Sequence, residues 1–99
     1  MPIHAVTYTY TDDDARRDAV RPEHREFLGA LAARGVVVAS GPLAAQGDTP
    51  AGALLLLDAV LAPDALEALD ADPFHREGLV AAREVRSWSP VIGALREHA

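Results

Sequence analysis

Four segments of the chain have the hydrophobic pattern of β-strands. Residues 3–10 are rich in Thr, Tyr, Ile and Val, and the pattern stops at the acidic cluster 12–14. Residues 36–40 (VVVAS) are mostly β-branched, and residues 53–58 (ALLLLD) are apolar up to the final aspartate. A last strand is predicted over residues 80–88.

Between these strands the period changes to that of helices. The first helix is predicted from Arg21 over about 14 residues, with Pro22 as its first helical residue. A second helix is predicted over 63–70 and a short helical turn over 73–79. The Gly- and Pro-containing segment 41–52 is predicted to be a loop between two strands.

The order β-α-β-β-α-β predicts an α+β fold of the ferredoxin-like type, with a four-stranded antiparallel sheet and two main helices on one face. The third strand, which is central in the usual order, carries Leu54 to Leu57 and is therefore apolar toward both faces. Two short helices cover only one face. We therefore predict that a second copy of the chain covers the other, which makes the protein a homodimer.

The composition of the chain argues against several classes of function. With 99 residues the chain is predicted to be a single domain, 1–99, and 49% hydrophobic residues indicate a folded protein. A net charge of −6 and the lack of Lys- or Arg-rich runs argue against nucleic acid as a partner. No apolar run has the length of a membrane span and no leader pattern precedes the first strand, so a cytoplasmic protein without membrane contact is expected.

His24 is the first candidate for chemistry. On the predicted helix it shares a stripe with Phe27, Leu28 and Leu31, which are three, four and seven positions further on. An imidazole on an apolar stripe needs hydrogen-bond partners, and it is either a satisfied residue at the edge of the core or a functional group. A nearby carboxylate would favour the second interpretation.

Asp72 is the candidate carboxylate. Because it precedes Pro73, it is disfavoured in helical geometry and is predicted to be the N-cap of the following helical turn. Capping alone explains an aspartate here. If its other oxygen reached His24, however, it would fix the imidazole tautomer and raise its basicity. The predicted topology places both helices on one sheet face, where the two side chains can meet.

Other residues are candidates for ligand contact. The "SGP" of Ser40, Gly41 and Pro42 is interpreted either as the end of the second strand or as a place where a ligand approaches the backbone. His75 is expected at the rim of a site, and Trp88 in the core or at a dimer interface. No two histidines have the spacing of metal ligands, and the chain has no cysteine, so no metal is predicted.

Four segments together resemble one known family. They are "RPEH" at the first helix, "GVVVASGPL" on the second strand, "ADPF" followed by "GLV", and "EVRSWSPVIG" on the last strand. In this order they are similar to the YCII-related (YciI-like) family. The resemblance implies a ferredoxin-like protomer that pairs into a dimeric α/β barrel. It also implies a His–Asp active site at His24 and Asp72, with small organic molecules as substrates, including a dehalogenating step in chloroaromatic breakdown.

The leading hypothesis is a cofactor-independent enzyme of small-molecule metabolism. His24 and Asp72 are its predicted catalytic residues and use general acid/base chemistry of a lyase, isomerase or dehalogenase type. The predicted substrate-binding residues are Ser40, Gly41, Pro42, Phe74 and His75. The alternative is a non-catalytic dimer that binds a small ligand or a protein partner and uses Asp72 only as a cap.

Overall fold

The computed structural model describes residues 2–98, so Met1 and Ala99 of the predicted domain 1–99 lie outside the described residues. Its centre is one antiparallel sheet with the order β2-β3-β1-β4. The strands are β1 (Ile3–Tyr10), β2 (Val37–Leu43), β3 (Gly52–Asp58) and β4 (Val80–Trp88). The helices are α1 (Asp14–Ala33), α2 (Ala62–Ala68) and α3 (Pro73–Arg76), and a 3₁₀ turn covers Arg96–His98. The predicted α+β, ferredoxin-like order is confirmed, with β1 and β3 central.

The first helix is longer than the sequence pattern predicts. It begins at Asp14, with the side chain of Asp13 accepting a hydrogen bond from the Arg16 amide as N-cap, and Pro22 lies inside it. The predicted start at Pro22 is therefore wrong. The acidic residues favour the positive end of the helix dipole, while Pro22 gives up only one hydrogen bond of an already established helix. His24 consequently lies in the middle of α1 and not at its start.

The second strand is also longer than predicted, because Ser40, Gly41 and Pro42 continue it to Leu43. The interpretation of these three residues as a strand end is wrong, and the connection to β3 is shorter than the predicted loop 41–52. Proline is tolerated here because β2 is an edge strand. The two short helices end earlier than predicted: α2 ends at Ala68 and not at residue 70, and α3 ends at Arg76 and not at residue 79.

A β-bulge in β2 decides where its side chains point. Val37 pairs with Leu57, but Ala39 pairs with Leu56, so β2 has one extra residue at this point. After the bulge Ser40 pairs with Leu55, and directly paired residues share a face of the sheet. Leu55 and Leu57 belong to the core under the helices. The bulge therefore turns Ser40 toward the helices.

The helices cover one face of the sheet and leave the other face uncovered. The core lies on the helix side, where Tyr8, Leu55 and Phe74 are almost fully buried. The side chains of the opposite face, which we call the open face, alternate with them along the same strands and include Leu43, Leu54, Leu56, Arg86 and Trp88. Of these, Leu43, Leu54 and Trp88 are 43%, 38% and 41% exposed.

Across residues 2–98, no helix combines the length and the apolar character needed to cross a membrane.

Candidate functional site

Asp72 is fixed at the start of α3 and is completely buried. Its backbone is extended, with φ −58° and ψ 125°, as expected for a residue before proline. Its Oδ1 accepts a hydrogen bond from the Phe74 amide at 3.0 Å, which is the predicted N-cap interaction. A carboxylate held by a backbone N–H keeps a fixed orientation, so Asp72 is a preorganised acceptor.

The structure brings His24 and Asp72 together. His24 lies on the buried stripe of α1 with Leu28 and Leu31, and its Nδ1–H donates to Oδ1 of Asp72 at 2.7 Å. Both side chains are buried, with 9% and 0% exposure. The contact joins α1 to α3, whose packing follows from the position of both helices on the same face of the sheet.

A third residue, Tyr8, completes this buried group and was missed in the sequence analysis. Its hydroxyl donates to Oδ2 of Asp72 at 2.9 Å, so Asp72 accepts three hydrogen bonds in all. Burial, and then the negative charge of Asp72, raise the pKa of Tyr8 far above its ordinary value, and the phenol stays protonated. The alternation in "TYTY" predicts that Tyr8 shares a face with Tyr10, but not which face.

Aromatic contacts hold the imidazole plane. The His24 ring stacks on the Phe74 ring with 3.9 Å between centroids and 5° between planes. Phe74 in turn meets Tyr10 edge to face at 5.4 Å. Nδ1 of the ring is bonded to Asp72, and the face of the ring is stacked on Phe74. Nε2, the other ring nitrogen, has no hydrogen-bond partner among the described residues.

A cavity of about 430 Å³ lies between α1 and the β2–β3 edge of the sheet, and His24 forms part of its wall. Its polar lining consists of Tyr10, Arg21, His24, Arg25 and Ser40. The apolar part of the lining includes Leu28, Ala32, Val37 and Leu55. A volume of this size suits a small organic molecule.

Four of the five predicted substrate-binding residues line the cavity, and His75 does not. Ser40, Gly41, Pro42 and Phe74 line the cavity. Gly41 does so through its backbone, because it pairs with Leu54 of the open face and a Cβ there would meet no atom within 4 Å. His75 is half-buried and is not part of the cavity wall.

Arg21 and Arg25 are further cavity residues that the sequence analysis did not single out. The spacing of Arg21, His24, Arg25 and Leu28 would have placed them on one side of a helix, had α1 been extended through Pro22. Over residues 2–98, no three His, Asp or Glu side chains come together as a metal site would require.

Known proteins agree with this fold. The chain is similar to 5-chloro-2-hydroxyhydroquinone dehydrochlorinase from Burkholderia phenoliruptrix AC1100, solved in complex with 2,5-dihydroxybenzoquinone. The TM-score is 0.72 and the identity 22%, over 88% of this chain and 93% of that one. It is also similar to Atu4242 from Agrobacterium tumefaciens, with a TM-score of 0.53 and 19% identity, over 91% and 93%. For PA3566 from Pseudomonas aeruginosa the TM-score is 0.51 and the identity 18%, over 88% of this chain and 91% of that one.

At these identities the solved structures establish the fold. No curated protein matches the sequence. The sequence model of the YCII-related domain matches residues 3–89, which is nearly the whole chain and includes every strand, His24 and Asp72. The protein therefore belongs to the YCII-related domain family.

Proposed function

We propose that the protein is an enzyme of small-molecule metabolism in which His24 transfers a proton at Nε2 while Asp72 orients the ring. The observation that carries this proposal is the 2.7 Å hydrogen bond between Nδ1 of His24 and Oδ1 of Asp72, beside a cavity lined by the same imidazole. The chain itself supplies both groups of the proton transfer.

The geometry suits general acid/base chemistry. The bond to Asp72 keeps the proton of the neutral ring on Nδ1, so the lone pair of Nε2 is free to accept a proton from a substrate in the cavity. Once His24 is protonated, the buried charge of Asp72 stabilises the imidazolium, which can return the proton at another substrate atom. A proton transfer within a lyase, isomerase or dehalogenase reaction requires such a group.

The similarity to a dehydrochlorinase supports one member of this class. Dehydrochlorination removes a proton and a chloride ion from the substrate, so it requires a proton acceptor next to a cavity of suitable size. This chain has such an acceptor in Nε2 of His24. We propose Ser40, Pro42, Phe74 and the Gly41 backbone as its substrate contacts, since they line the same cavity.

A non-catalytic binding protein is the alternative. It is favoured by the N-cap bond from the Phe74 amide, which alone gives Asp72 a structural role. However, the cap accounts for one of the three hydrogen bonds that Asp72 accepts. The bonds from Tyr8 and His24 orient the carboxylate toward the imidazole that lines the cavity, and this arrangement favours the enzyme.

We propose further that the protein is a homodimer that pairs through the open face. Leu54 and Trp88 are large, apolar and partly exposed there, although they lie on regular strands of the sheet. A second copy of this chain would present the same apolar surface, and twofold pairing would remove both from water.

The test of the enzyme is a screen of hydroxylated and chlorinated aromatic compounds, first for thermal stabilisation and then for turnover. His24→Gln should lower kcat/KM by about 10²- to 10⁴-fold, because it removes the proton-transfer group. The matched control is Glu23→Gln, an exposed neighbour on α1 outside the cavity wall, which should leave turnover unchanged. Ligands that bind equally well to wild type and His24→Gln without turnover would instead support the binding protein.

A further inference from the structure

The charge around the cavity is opposite to that of the whole chain. The protein has a net charge of −6, with 15 acidic and 9 basic residues. Nevertheless the charged residues of the cavity wall are Arg21 and Arg25, and among residues 2–98 no Asp or Glu belongs to it. Asp72 lies outside the wall, where its oxygens are already bonded to Tyr8, His24 and the Phe74 amide.

Helix geometry places both arginines next to the proposed base. Arg21, His24 and Arg25 follow one another at i, i+3 and i+4, which is one face of α1. Strand β2 returns along this helix directly after the turn at Gly35. Ser40 on β2 lines the same cavity as both arginines.

The two arginines differ in their existing partners. Arg21 forms an exposed ion pair with Asp18 one turn earlier on α1, an interaction of a kind that contributes little. Arg25 has no ion pair or side-chain hydrogen bond among the described residues, and it is exposed at the cavity. Its guanidinium is thus free to bind a ligand, and its planar N–H groups match the geometry of a carboxylate.

Apolar side chains form much of the rest of the cavity wall. Leu28 and Ala32 on α1 follow Arg25 by three and seven residues, and Val37 and Leu55 of the sheet belong to the same wall. A ligand that fills the cavity therefore meets both cationic, hydrogen-bonding groups and apolar side chains.

We propose that the cavity binds a small organic anion, with its carboxylate on Arg25 close to His24 and its apolar part between Leu28 and Leu55. The proposal rests on the proposed function in taking this cavity as the substrate site. It adds a substrate class, since a neutral compound of the same shape could not form the charge-assisted contact with Arg25. The permanent positive charge of Arg25 also stabilises negative charge that develops on the substrate when His24 removes a proton.

The test compares aromatic carboxylates with their neutral amides by calorimetric titration. The probes are benzoate and 2-naphthoate, with benzamide and 2-naphthamide as isosteric neutral partners. Wild type should bind the carboxylates about 10- to 100-fold more tightly than the amides, as expected for one charge-assisted contact. Arg25→Gln should remove most of this preference and leave the affinity for the amides unchanged.

The matched control is Arg34→Gln, the same change at an exposed arginine just beyond the end of α1, outside the cavity wall. It should retain the preference for carboxylates. Equal affinity for carboxylates and amides, a preference that survives in Arg25→Gln, or no binding of either pair would overturn the anion proposal.

These results are separable from those that test the enzyme. If the amides bind as well as the carboxylates and still shift the ¹⁵N resonance of His24 Nε2, the anion proposal fails and the proposed function stands. If the carboxylates bind through Arg25 but His24→Gln does not affect turnover of any substrate found, the substrate class stands and the role of His24 fails.

Discussion

The two faces of the sheet use the same strands for different purposes. On the helix side Tyr8 of β1 reaches Asp72, and Ser40 of β2 and Leu55 of β3 line a cavity. On the open face the neighbouring positions carry the exposed Leu54, and Arg86 there has no ion pair or side-chain hydrogen bond among residues 2–98. One face therefore contains preorganised polar atoms next to a space, and the other contains apolar surface next to solvent.

This difference teaches where each kind of function can arise. Chemistry needs polar groups held in place, and on the helix side α1 and α3 supply His24 and Asp72 together with the cover that buries them and Tyr8 of β1. Self-association needs apolar area without competing partners, which the uncovered face supplies. Because side chains alternate along a strand, a single step in register separates the two roles.

The largest expected effect is on the helix side. Asp72→Ala should lower the free energy of unfolding by about 3–5 kcal/mol, because it removes a buried acceptor and leaves Tyr8, His24 and the Phe74 amide without a partner. Chemical denaturation measures the change. A residue that served only as a helix cap would cost about 1 kcal/mol.

Asp70→Ala is the matched control for this variant. Asp70 lies two residues earlier and forms an exposed pair with Arg83, which should contribute no more than about 1 kcal/mol. A loss of stability in Asp72→Ala no greater than in the control would show that the buried group is not a cooperative unit.

The next effect concerns the open face. Leu54→Asp should weaken self-association about 100-fold or more, because pairing would then bury a carboxylate without a partner. Light scattering over a range of concentrations should show twice the protomer mass for wild type and the protomer mass for the variant.

Leu61→Asp provides the comparison for Leu54→Asp. It introduces the same charge at an exposed leucine, but at the N-cap of α2, away from the open face. It should leave the mass unchanged. A monomeric wild type, or equal dissociation of both variants, would remove the open face as an interface.

Tyr8→Phe should have a smaller effect that depends on pH. It leaves Oδ2 of Asp72 without its donor and should cost about 2 kcal/mol at neutral pH. The pKa of Tyr8 is raised in the folded protein above its ordinary value of 10.0. The unfolded chain therefore releases this proton first, and the stability of wild type falls as the pH rises above about 10.

In Tyr8→Phe this alkaline loss should be shallower, so the difference between the two proteins narrows above pH 10, about where free tyrosine titrates. Part of the alkaline loss remains in the variant, because burial, and then the charge of Asp72, also raise the pKa of Tyr10. Parallel stability curves of the two proteins up to the alkaline limit would contradict the assigned hydrogen bond.

Much of the fold follows from local pattern. The alternation and β-branched residues of 3–10 and 80–88 predict strands that the structure places at Ile3–Tyr10 and Val80–Trp88. The start of α1 did not follow in the same way. Pro22 and the acidic residues 12–14 each have two interpretations, and the sequence pattern alone does not show that Asp13 caps a helix whose first turn pairs Arg16 with Glu77.

The candidate site, like the fold, could be predicted from the sequence only in part. The meeting of His24 and Asp72 could be expected, because it depends on element order and on the fixed geometry of a residue before proline. Ser40 was expected near a ligand, but neither the sheet face that it occupies nor the contact of Tyr8 with Asp72 could be predicted. Which face a strand residue occupies depends on register, and the one-residue bulge in β2 reverses that choice without a signal in the local sequence.

The proton on the His24 ring offers the most direct test of the central claim. Long-range ¹H–¹⁵N correlation spectra distinguish a protonated from an unprotonated imidazole nitrogen under conditions in which the ring is neutral. With Asp72 as acceptor, the proton should lie on Nδ1 and Nε2 should be unprotonated, and Asp72→Ala should lose this preference. A proton on Nε2 in wild type, or the same spectrum in both proteins, would contradict the proposed pairing.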